Sequence, residues 1–377
     1  MLEAHFLIDA DFDEENFLET SELASRYNSS FLNLTIGLTM NCNMACPYCY
    51  EHKNTTRMND AVKNAIVKYV QNKSHEIRKL NIVWYGGEPL LEIDTLKYLA
   101  REFIQICEKE KIEYSSHIIT NGYLLTADLA KTLFEEYQVK YAQITIDGTK
   151  ETHNQRRRLK NGGDSFSVII KNIDEISKSV PDFKISIRVN IDKTNSDGIK
   201  ELFNYFMDEK GWGQGPVTFY AACVSDYENP SCETYYNFEE FGEIYLDLFH
   251  ETKKRFGFEW TLNEIPSFTP TACGALRENN YVIDPDGDFY KCFEEIGIKD
   301  KRIASLFEVT NNFKRQFQWS TLSLPQECRK CIYRPCCQGY CPYARIDDNK
   351  PHCTFRKVLY PAFLKEYFED TKLLTHA

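Results

Sequence analysis

A regular alternation of strand-like and helix-like segments between residues 33 and 255 is the feature that most constrains the fold of this 377-residue chain. Six β-rich runs occur, and a segment of helix length follows each of them. The runs cover residues 33–39, 80–85, 115–120, 141–146, 184–191 and 217–221. Consecutive βα units of this kind predict a parallel sheet whose outer face is covered by helices. One helical segment has Leu96, Ala100, Phe103 and Cys107 on one face, as packing against such a sheet requires.

Residues with recognisable chemistry come directly after these runs. The sequence CNMACPYC follows the first run, GGEP follows the second, and later runs end near Asn121, Asp147 and Asn190. Active sites of TIM-like barrels lie at the C-terminal ends of the strands, so this placement indicates one common site. We therefore expect an α/β fold with a partial (β/α)6 TIM-like barrel.

After about residue 265 the alternation stops, and the chain becomes rich in Cys, Pro and short turns. Such a composition is typical of a small domain that is ordered by metals rather than by an apolar core. The expected domains are an N-terminal extension at residues 1–30, the barrel at 31–260 and a cysteine-rich domain at 261–377.

The composition argues against several classes of protein. A formal net charge of -11 without a basic run argues against nucleic acid or an anionic membrane as a partner. The sequence shows no signal peptide and no apolar run long enough to span a membrane, so we expect a cytoplasmic protein. Fourteen cysteines in a reducing compartment indicate metal ligation rather than disulfides.

Cys42, Cys46 and Cys49 form a C-x3-C-x2-C motif in the loop after the first strand. Three thiolates at this spacing can bind three irons of a [4Fe-4S] cluster and leave the fourth iron open for a substrate. The alternative is a zinc site, for which His52 is the nearest fourth ligand, although His52 would have to fold back onto the three thiolates.

With Tyr48 before its last cysteine, this motif resembles the signature of radical S-adenosylmethionine (SAM) enzymes. The tetrad Gly86-Gly87-Glu88-Pro89 is similar to the loop with which that family binds the amino group of SAM. Two glycines permit a close approach of the backbone, and a carboxylate can hold an ammonium group. The resemblance implies that a reduced cluster splits SAM into methionine and a 5′-deoxyadenosyl radical. This radical then abstracts a hydrogen atom from the substrate.

The resemblance extends to further SAM contacts. Thr145 and Asp147 match residues of the fourth strand that contact the carboxylate and ribose of SAM in related enzymes. Arg157 matches a basic residue near that carboxylate. Additional candidates, which serve equally well as polar residues of strand ends, are Asn121, Arg188 and Asn190.

The C-terminal cysteines follow a second pattern. They are Cys273, Cys292, Cys328, Cys331, Cys337, Cys341 and Cys353. Their spacing resembles that of the SPASM domain of peptide-modifying radical SAM enzymes, and residues 283–288 are expected to form a hairpin turn in which Gly287 has a positive φ. The alternative is two zinc ribbons.

The SPASM resemblance implies two auxiliary [4Fe-4S] clusters, and thus three clusters in all. The ligands of the outer auxiliary cluster would be Cys328, Cys331, Cys337 and Cys353. The ligands of the inner auxiliary cluster would be Cys273, Cys292 and Cys341. With three such ligands, the inner cluster either keeps an open iron for substrate or receives a fourth thiolate from a distant cysteine.

The other cysteines have weaker assignments. Cys223 or Cys232 could be the distant fourth ligand or could donate a hydrogen atom to a radical, although buried inert cysteines are common. We interpret Cys107 as a core residue of its helix. We interpret Cys336 as a bystander that points away from the cluster of its neighbour Cys337.

Two groups of radical SAM enzymes share this three-cluster arrangement, the maturases of ribosomally made peptides and the anaerobic sulfatase maturases, and both modify a peptidyl side chain. Sulfatase maturases have a catalytic aspartate directly after the second SPASM cysteine, where this chain has Phe293, followed by Glu294 and Glu295. The resemblance therefore favours a peptide maturase that forms a thioether or another intramolecular crosslink. The alternatives are formylglycine formation by a sulfatase maturase, peptide epimerisation and, in a different class, a non-enzymatic iron–sulfur or zinc scaffold.

The implied partners are a precursor peptide and an electron donor of the flavodoxin or ferredoxin type. The first thirty residues are too few for the leader-recognition domain of many such maturases, which leaves room for a separate leader-binding protein. The acidic stretch of residues 9–22 could contact a basic leader or could be only a solvated face.

Overall fold

The computed structural model describes residue 9 and residues 11–51, 54–225, 233–257, 259–260, 266–308 and 312–375. The chain divides into two compact units. One of them, the barrel unit, comprises Ser29–Asp226 and Asn279–Phe317. The other, the cysteine-rich unit, comprises Met1–Asn28, Tyr227–Glu278 and Gln318–Ala377.

A parallel sheet forms the centre of the barrel unit. Its strands are β1 (Phe31–Gly37), β2 (Lys79–Tyr85), β3 (Glu113–Thr120), β4 (Val139–Thr145), β5 (Lys184–Ile191) and β6 (Val217–Cys223). Each strand pairs in parallel with the next one along the chain. The six predicted runs and the α/β fold class are therefore confirmed, with strand ends shifted by two residues or fewer.

A helix follows each of the six strands, as predicted. In chain order, the helices of the described residues are α1 (Glu14–Arg26), α2 (Asp60–Lys73), α3 (Ile93–Glu110), α4 (Ala127–Tyr137), α5 (Lys150–Arg156), α6 (Ser165–Ser179), α7 (Ile199–Asn204), α8 (Phe238–Phe256), α9 (Phe313–Thr321), α10 (Gln326–Arg329), α11 (Arg334–Cys337), α12 (Pro342–Arg345) and α13 (Arg356–Thr375), and those that follow the six strands are α2 to α8. Several begin at a side chain that accepts an otherwise unpaired backbone N–H. Asn59 accepts the Val62 N–H at α2, and Thr126 accepts the Leu129 N–H at α4.

The two faces of the sheet differ in chemistry. One face consists of fully buried apolar side chains such as Leu34, Trp84 and Ile187. Trp84 stacks on Phe103 of α3 with 6.2 Å between the ring centroids, and burial of each such side chain contributes about 1.5–3 kcal/mol. The other face carries half-buried polar side chains, among them Asn33, Asn81, Ser115, His117, Tyr141, Gln143, Ser186, Arg188, Asn190 and Tyr220. This polar face is therefore the one suited to a ligand.

Three short strands extend the sheet beyond β1. They are β7 (Asn280–Ile283), β8 (Asp288–Tyr290) and β9 (Ala304–Ser305). β7 pairs in parallel with β1, and β7 and β8 form an antiparallel hairpin. Gly287 in its turn has a φ of +86°, and Asp284 Oδ1 accepts the backbone N–H groups of Asp286 and Asp288 at 3.0 Å. The predicted hairpin and the positive φ of Gly287 are confirmed.

The cysteine-rich unit has a small apolar core of its own. A buried cluster is formed by Phe249 of α8 and by Leu359, Tyr360 and Phe363 of α13. Gly242 allows α8 to approach α13, because a Cβ atom at this position would lie 2.7 Å from Cβ of Val358. A pair of helices thus supports the short helices and turns that carry the cysteines.

The units do not follow the predicted domain boundary near residue 260. α8 was expected in the barrel domain but belongs to the cysteine-rich unit, because it packs on α13. Residues 280–305 were expected in the cysteine-rich domain but belong to the barrel unit, because β7 hydrogen-bonds to β1. Among the described helices, none is long and apolar enough to cross a membrane.

Candidate active site

The three cysteines of the first motif lie in the loop that follows β1. Cys42 is buried, and its Sγ accepts the Met44 N–H at 3.4 Å and lies 3.9 Å from Nδ2 of Asn121. Cys46 and Cys49 are half-buried. Hydrogen-bond donors near a sulfur stabilise the thiolate that binds a metal, so the donors around Cys42 fit a cluster ligand.

The loop that follows β2 lies directly against the backbone before the first cysteine. The N–H groups of Gly87 and Glu88 donate to the carbonyl oxygens of Thr39 and Asn41, each at 2.9 Å. A Cβ atom on Gly86 would lie 2.4 Å from Thr39 O, and one on Gly87 would lie 2.4 Å from Asn41 O. Gly86 also has a φ of +136°, which favours glycine. The glycines therefore allow a close approach to the cysteine loop, while their approach to SAM stays a prediction.

Glu88 is fully buried and joins the ends of β2 and β3. One carboxylate oxygen accepts the Thr120 hydroxyl at 2.7 Å and the Leu90 N–H at 3.0 Å, and the other accepts the Asn121 N–H at 2.8 Å. Burial raises the pKa of this carboxyl group, although these hydrogen bonds act in the opposite direction. Pro89 is buried and begins a 3₁₀ turn over Pro89–Glu92. Glu88 thus has a structural role in addition to its predicted contact with SAM.

A hydrogen-bonded network connects the cysteine loop with the ends of β4 and β5. The Tyr48 hydroxyl bonds to Asp147 Oδ2 and accepts a hydrogen bond from Arg157 Nη1 at 2.8 Å. Asp147 is fully buried, and its Oδ1 accepts the Asn190 N–H at 3.1 Å. Arg188 Nε donates to Asn190 Oδ1 at 2.7 Å. Burial raises the pKa of Asp147, against the opposing effect of Arg157. The structure thus brings five predicted site residues together.

Four buried nitrogen atoms beside this network have no hydrogen-bond partner among the described residues. They are Nε and Nη2 of Arg156, Nε of Arg157 and Nε2 of His153. Arg156 lies over the Tyr48 ring, with Cζ 4.9 Å from the ring centroid, and its Nη1 donates to Asp192 Oδ1 at 2.9 Å. Buried donors without a partner are costly, so this place favours an anionic acceptor. The carboxylate of SAM has this chemistry, and the residues present therefore fit the cofactor.

His153 and Asn154 fix the segment around Asp147. His153 is fully buried, and its Nδ1 accepts the Asp147 N–H at 3.4 Å. Burial and the charge of Arg157 lower the pKa of His153 to about 3, so its imidazole is neutral near pH 7. Asn154 Oδ1 accepts the Phe166 N–H at 2.9 Å at the start of α6. This dipeptide therefore shapes the site from behind the network.

The segment after the third cysteine contacts the segment after Cys292. The hydroxyl groups of Tyr50 and Tyr85 hydrogen-bond to each other, and the Tyr85 ring packs edge-on against Phe293 at 5.1 Å. Burial of its hydroxyl group and the negative charge of Glu51 raise the pKa of Tyr50, and Glu294 and Cys292 have smaller effects in the same direction. The loop of the first motif is thus joined to a predicted ligand of the inner auxiliary cluster by aromatic side chains.

The predicted ligands of the outer auxiliary cluster lie near one another in the cysteine-rich unit. Burial raises the pKa of Cys328, and the thiols of Cys337, Cys331 and Cys353 raise it further. The backbone N–H groups of Gly339 and Tyr340 hydrogen-bond to Cys337 and oppose the effect of burial on its pKa. These contacts fit a group of thiolates, but their ligation of iron stays a prediction.

The predicted ligands of the inner auxiliary cluster are divided between the units. Cys273 and Cys341 belong to the cysteine-rich unit and Cys292 to the barrel unit, and all three are half-buried. Cys273 Sγ accepts the Ala275 N–H at 3.5 Å. In the part of the chain that the structure describes, no three His, Cys, Asp or Glu side chains converge on one metal-ion position. Thiolates of a [4Fe-4S] cluster bind separate irons and do not need such convergence.

The remaining cysteines are placed as follows. Cys107 is buried on α3, where burial raises its pKa to about 12, as expected of a core residue. Cys336 packs against the apolar core of the cysteine-rich unit, which agrees with its interpretation as a bystander. Cys223 ends β6 and is half-buried. Cys232 and His52, the fourth ligand of the zinc alternative, lie outside the described residues.

Comparison with known proteins identifies one domain of the chain. The family model of the Radical SAM superfamily matches residues 36–206, so the chain contains a radical SAM domain. A relative of the chain, the cysteine-type anaerobic sulfatase-maturating enzyme of Clostridium perfringens, is 25% identical over 359 residues, which cover 87% of this chain and 92% of the relative.

Two solved structures have the same fold as this chain. Native anSMEcpe with bound AdoMet and the Cp18Cys peptide has a TM-score of 0.65 and 22% identity, and the match covers 90% of this chain and 96% of that one. SuiB of Streptococcus suis bound to the precursor peptide SuiA has a TM-score of 0.60 and 16% identity, with 91% and 79% covered. The predicted partial barrel of the radical SAM type is thereby confirmed.

Several residues of the site were not predicted from the sequence. Arg156 precedes a predicted residue in the run RRR and could have been considered with it. Asn195 donates from Nδ2 to the carbonyl oxygen of Asp147 at 2.6 Å, but nothing in the sequence connects residues 48 positions apart. Thr145, which was predicted, is the buried last residue of β4, and its SAM contact stays a prediction.

Proposed function

We propose that this chain is a radical SAM enzyme that forms a 5′-deoxyadenosyl radical from SAM and abstracts hydrogen from a residue of a ribosomally made precursor peptide. The observation that carries the proposal is the similarity to an anaerobic sulfatase-maturating enzyme over 87% of the chain. Similarity of this extent reaches well beyond residues 36–206, the radical SAM domain itself. A polypeptide substrate is therefore the proposal that this similarity supports best.

SAM and three [4Fe-4S] clusters are the proposed cofactors. The ligands of the first cluster would be Cys42, Cys46 and Cys49. The ligands of the two auxiliary clusters would be Cys328, Cys331, Cys337 and Cys353 for the outer one and Cys273, Cys292 and Cys341 for the inner one. When bound, SAM and the first cluster supply the radical that removes hydrogen from the substrate.

The part played by the chain is to bind SAM and to keep water away from the radical. The unpartnered Nε of Arg157 would bind the SAM carboxylate, and Glu88 would bind the amino group. Both oxygens of Asp147 accept hydrogen bonds, from Tyr48 and from the Asn190 N–H, so Asp147 positions these two residues. Because all these groups lie at the ends of parallel strands, they share one edge of the sheet.

The proposed product is an intramolecular crosslink, and a thioether where the second residue is a cysteine. Phe293 follows Cys292, so no carboxylate stands directly after that cysteine. Glu295 is fully buried, and its Oε1 accepts Arg315 Nε at 2.8 Å, so this carboxylate is committed to an ion pair. In thioether formation a C–H bond and an S–H bond would break and a C–S bond would form. The hydrogen atom from carbon would pass to the 5′-deoxyadenosyl radical, the thiol proton to solvent, and the remaining electron back to the flavodoxin- or ferredoxin-type carrier.

Formylglycine formation is the second candidate. Its support is the name of the Clostridium perfringens relative, which matures sulfatases. Glu294 would then be the carboxylate closest in the chain to Cys292, one residue further on than the expected aspartate. The two candidates differ in the product, since only formylglycine carries an aldehyde.

The proposed partners are an electron donor of the flavodoxin or ferredoxin type and, beside the precursor peptide, a separate leader-binding protein. A reduced donor is required because each SAM cleavage consumes one electron. A cytoplasmic location is part of the same proposal, because exposed clusters with labile thiolates persist in a reducing compartment.

The first experiment determines iron, sulfide and 5′-deoxyadenosine in protein reconstituted without oxygen. We expect about twelve irons per chain, and about eight with complete loss of SAM cleavage in the triple variant Cys42→Ala, Cys46→Ala, Cys49→Ala. Zinc in place of iron, or SAM cleavage that survives in the triple variant, would contradict the proposal and favour a scaffold protein.

The second experiment identifies the product on cysteine-containing candidate peptides by mass spectrometry. A loss of two hydrogens in a product that resists thiol alkylation supports a thioether. Labelling by a hydrazide probe would instead support formylglycine. Incorporation of one deuterium from heavy water without another mass change would support epimerisation.

A further inference from the structure

A guanidinium group is buried among the cysteines of the cysteine-rich unit and forms no ion pair with a carboxylate of the described residues. Arg345, the last residue of α12, is 0% exposed. Its Nη1 donates to Ser323 O at 2.6 Å and to Asn349 Oδ1 at 3.1 Å. Its Nε and Nη2 are buried and have no hydrogen-bond partner among the described residues. Such donors are costly unless another acceptor is present in the working protein.

Two residues that precede Arg345 in the cysteine-rich unit also have buried polar atoms without partners. Arg334 is 3% exposed and has buried Nε and Nη2 atoms without partners in the described structure. Gln338 is 2% exposed, and neither its Nε2 nor its Oε1 has a partner there. Both residues are close to Cys337 in the chain, because Arg334 is the first residue of α11, Cys337 is its last residue and Gln338 comes directly after Cys337. Unpartnered polar atoms are thus concentrated in the segment that carries the predicted outer ligands.

The charges around Arg345 point to an acceptor that contains sulfur. Burial and the nearby Arg26 lower the pKa of Arg345, whereas the thiol of Cys328, the carboxylate of Glu22 and the thiol of Cys341 raise it. In the described part of the chain, no Asp or Glu lies within ion-pair distance of Arg345 or Arg334. Glu22 is already paired with Arg26 at 2.9 Å, so the other negative groups that act on Arg345 are the thiolates of Cys328 and Cys341.

The backbone beside Cys337 is also arranged around the sulfur. Gln338, Gly339 and Tyr340 have consecutive positive φ values of 49°, 77° and 56°. Two non-glycine residues in this region are strained, which is typical of functional sites. The turn directs the N–H groups of Gly339 and Tyr340 to Cys337. A Cβ atom on Gly339 would lie 3.5 Å from Arg345 Nε, so this turn packs on the buried guanidinium.

We propose that Arg345, assisted by Arg334, donates hydrogen bonds to the sulfur atoms of the cluster bound by Cys328, Cys331, Cys337 and Cys353, and thereby raises its reduction potential. This inference rests on the proposed function, which supplies the cluster. Reduction adds one negative charge to a cluster, so nearby cations and N–H donors stabilise the reduced form more than the oxidised form. Arg345 is a positioning and tuning residue, since it acts through the cluster.

The test uses full-length chain in which the first cluster is removed by Cys42→Ala, Cys46→Ala and Cys49→Ala, so that only auxiliary clusters remain. Into this parent we introduce Arg345→Met, Arg345→Lys or, as a matched control, Arg329→Met. Arg329 is next to Cys328 in the chain, but its side chain is 40% exposed and pairs with Glu19 at 2.6 Å. Iron per chain and midpoint potentials are measured by dithionite titration followed by electron paramagnetic resonance.

We expect Arg345→Met to change the ratio of reduced to oxidised outer cluster at least tenfold, which is a fall of 59 mV for a one-electron couple. Arg345→Lys keeps the charge but loses the fork of donors, so a smaller fall is expected. The Arg329→Met control should keep both parent potentials. Selective loss of about four irons in Arg345→Met, with the second cluster unchanged, would also support the inference.

Three results would overturn the inference. The first is that Arg345→Met binds as much iron as the parent and has the same two midpoint potentials. The second is that the midpoint potential falls equally in Arg345→Met and in Arg329→Met. The third applies if Arg345→Met does not fold, and is that Arg345→Lys has the midpoint potentials of the parent. A parent that binds no iron would instead refute the proposed function, so the two failures are distinguishable.

Discussion

Replacement of Gly87 by alanine tests whether the loop after β2 positions the cysteine loop. The added Cβ atom would lie 2.4 Å from Asn41 O, 2.7 Å from Asn41 C and 2.9 Å from Met40 O. All three are backbone atoms, so no side-chain rotation relieves the contact. The gap has to open by about 1 Å to reach ordinary van der Waals contact at 3.4 Å, which typically costs about 1–3 kcal/mol.

This displacement moves the residue directly before Cys42. A misplacement of about 1 Å in a reacting arrangement typically lowers the rate about 100-fold, so we expect Gly87→Ala to slow 5′-deoxyadenosine formation about 100-fold. The rate is measured under dithionite and divided by the iron content, so that loss of cluster is not counted as loss of rate. Auxiliary-cluster iron should remain.

Gly198→Ala is the matched control. Gly198 belongs to the same unit and has a negative φ of -93°, and nothing lies within 4 Å of an added Cβ atom. The control should therefore cleave SAM at the wild-type rate. A wild-type rate in Gly87→Ala, or an equal loss in both variants, would refute the reasoning that the glycine loop positions the first cysteine.

Three shorter predictions concern other parts of the chain. Tyr48→Phe leaves a buried oxygen of Asp147 without its hydrogen-bond donor. The free energy of unfolding, measured by denaturant titration, should therefore fall by about 1–3 kcal/mol. An unchanged free energy of unfolding would show that this hydrogen bond does not stabilise the fold. Cys337→Ser should lose about four irons and Cys336→Ser none, and the reverse result would contradict the proposed ligands. Because the pKa of His153 is lowered to about 3, the unfolded chain binds a proton below pH 6.5 that the folded chain does not. The free energy of unfolding should therefore fall by up to about 1.4 kcal/mol per pH unit as the pH drops below 6.5. In denaturant titrations at several pH values, the free energy of unfolding of His153→Gln should depend less on pH in this range.

The strands of the barrel were predictable because the residues of each strand carry a local strand pattern. Strand composition and apolar alternation identified β1 to β6 within two residues. β7 has four residues, and its partner β1 lies more than two hundred residues earlier in the chain, so local patterns carry no information about this pairing. α8 continued the alternation of the barrel in the sequence, and only its packing on α13, at the far end of the chain, assigns it to the other unit.

The site was predictable to the extent that its residues belong to recognisable motifs. The motifs identified Tyr48, Asp147 and Arg157, which the structure brings together. Motifs do not identify residues that support others from a distance, such as Asn195, or buried cations such as Arg345, because a long side chain in a sequence is normally read as solvent-exposed. Burial without a partner is a property of the folded chain alone.

Each motif of the barrel loops contacts another loop of the protein, in addition to the role in SAM binding that is predicted for it. Gly87 contacts the backbone before Cys42, Glu88 binds the end of β3, and Tyr48 binds Asp147. Loss of activity after a substitution in these loops therefore does not by itself demonstrate contact with SAM. A residue that binds SAM should weaken SAM binding when it is changed, whereas a residue that positions the cysteine loop should alter the spectroscopic signature of the first cluster even without SAM. Its close contact with the backbone of Asn41 makes Gly87 a residue that positions the cysteine loop. Arg157, whose Nε has no partner among the described residues, is the clearest candidate for a residue that binds SAM.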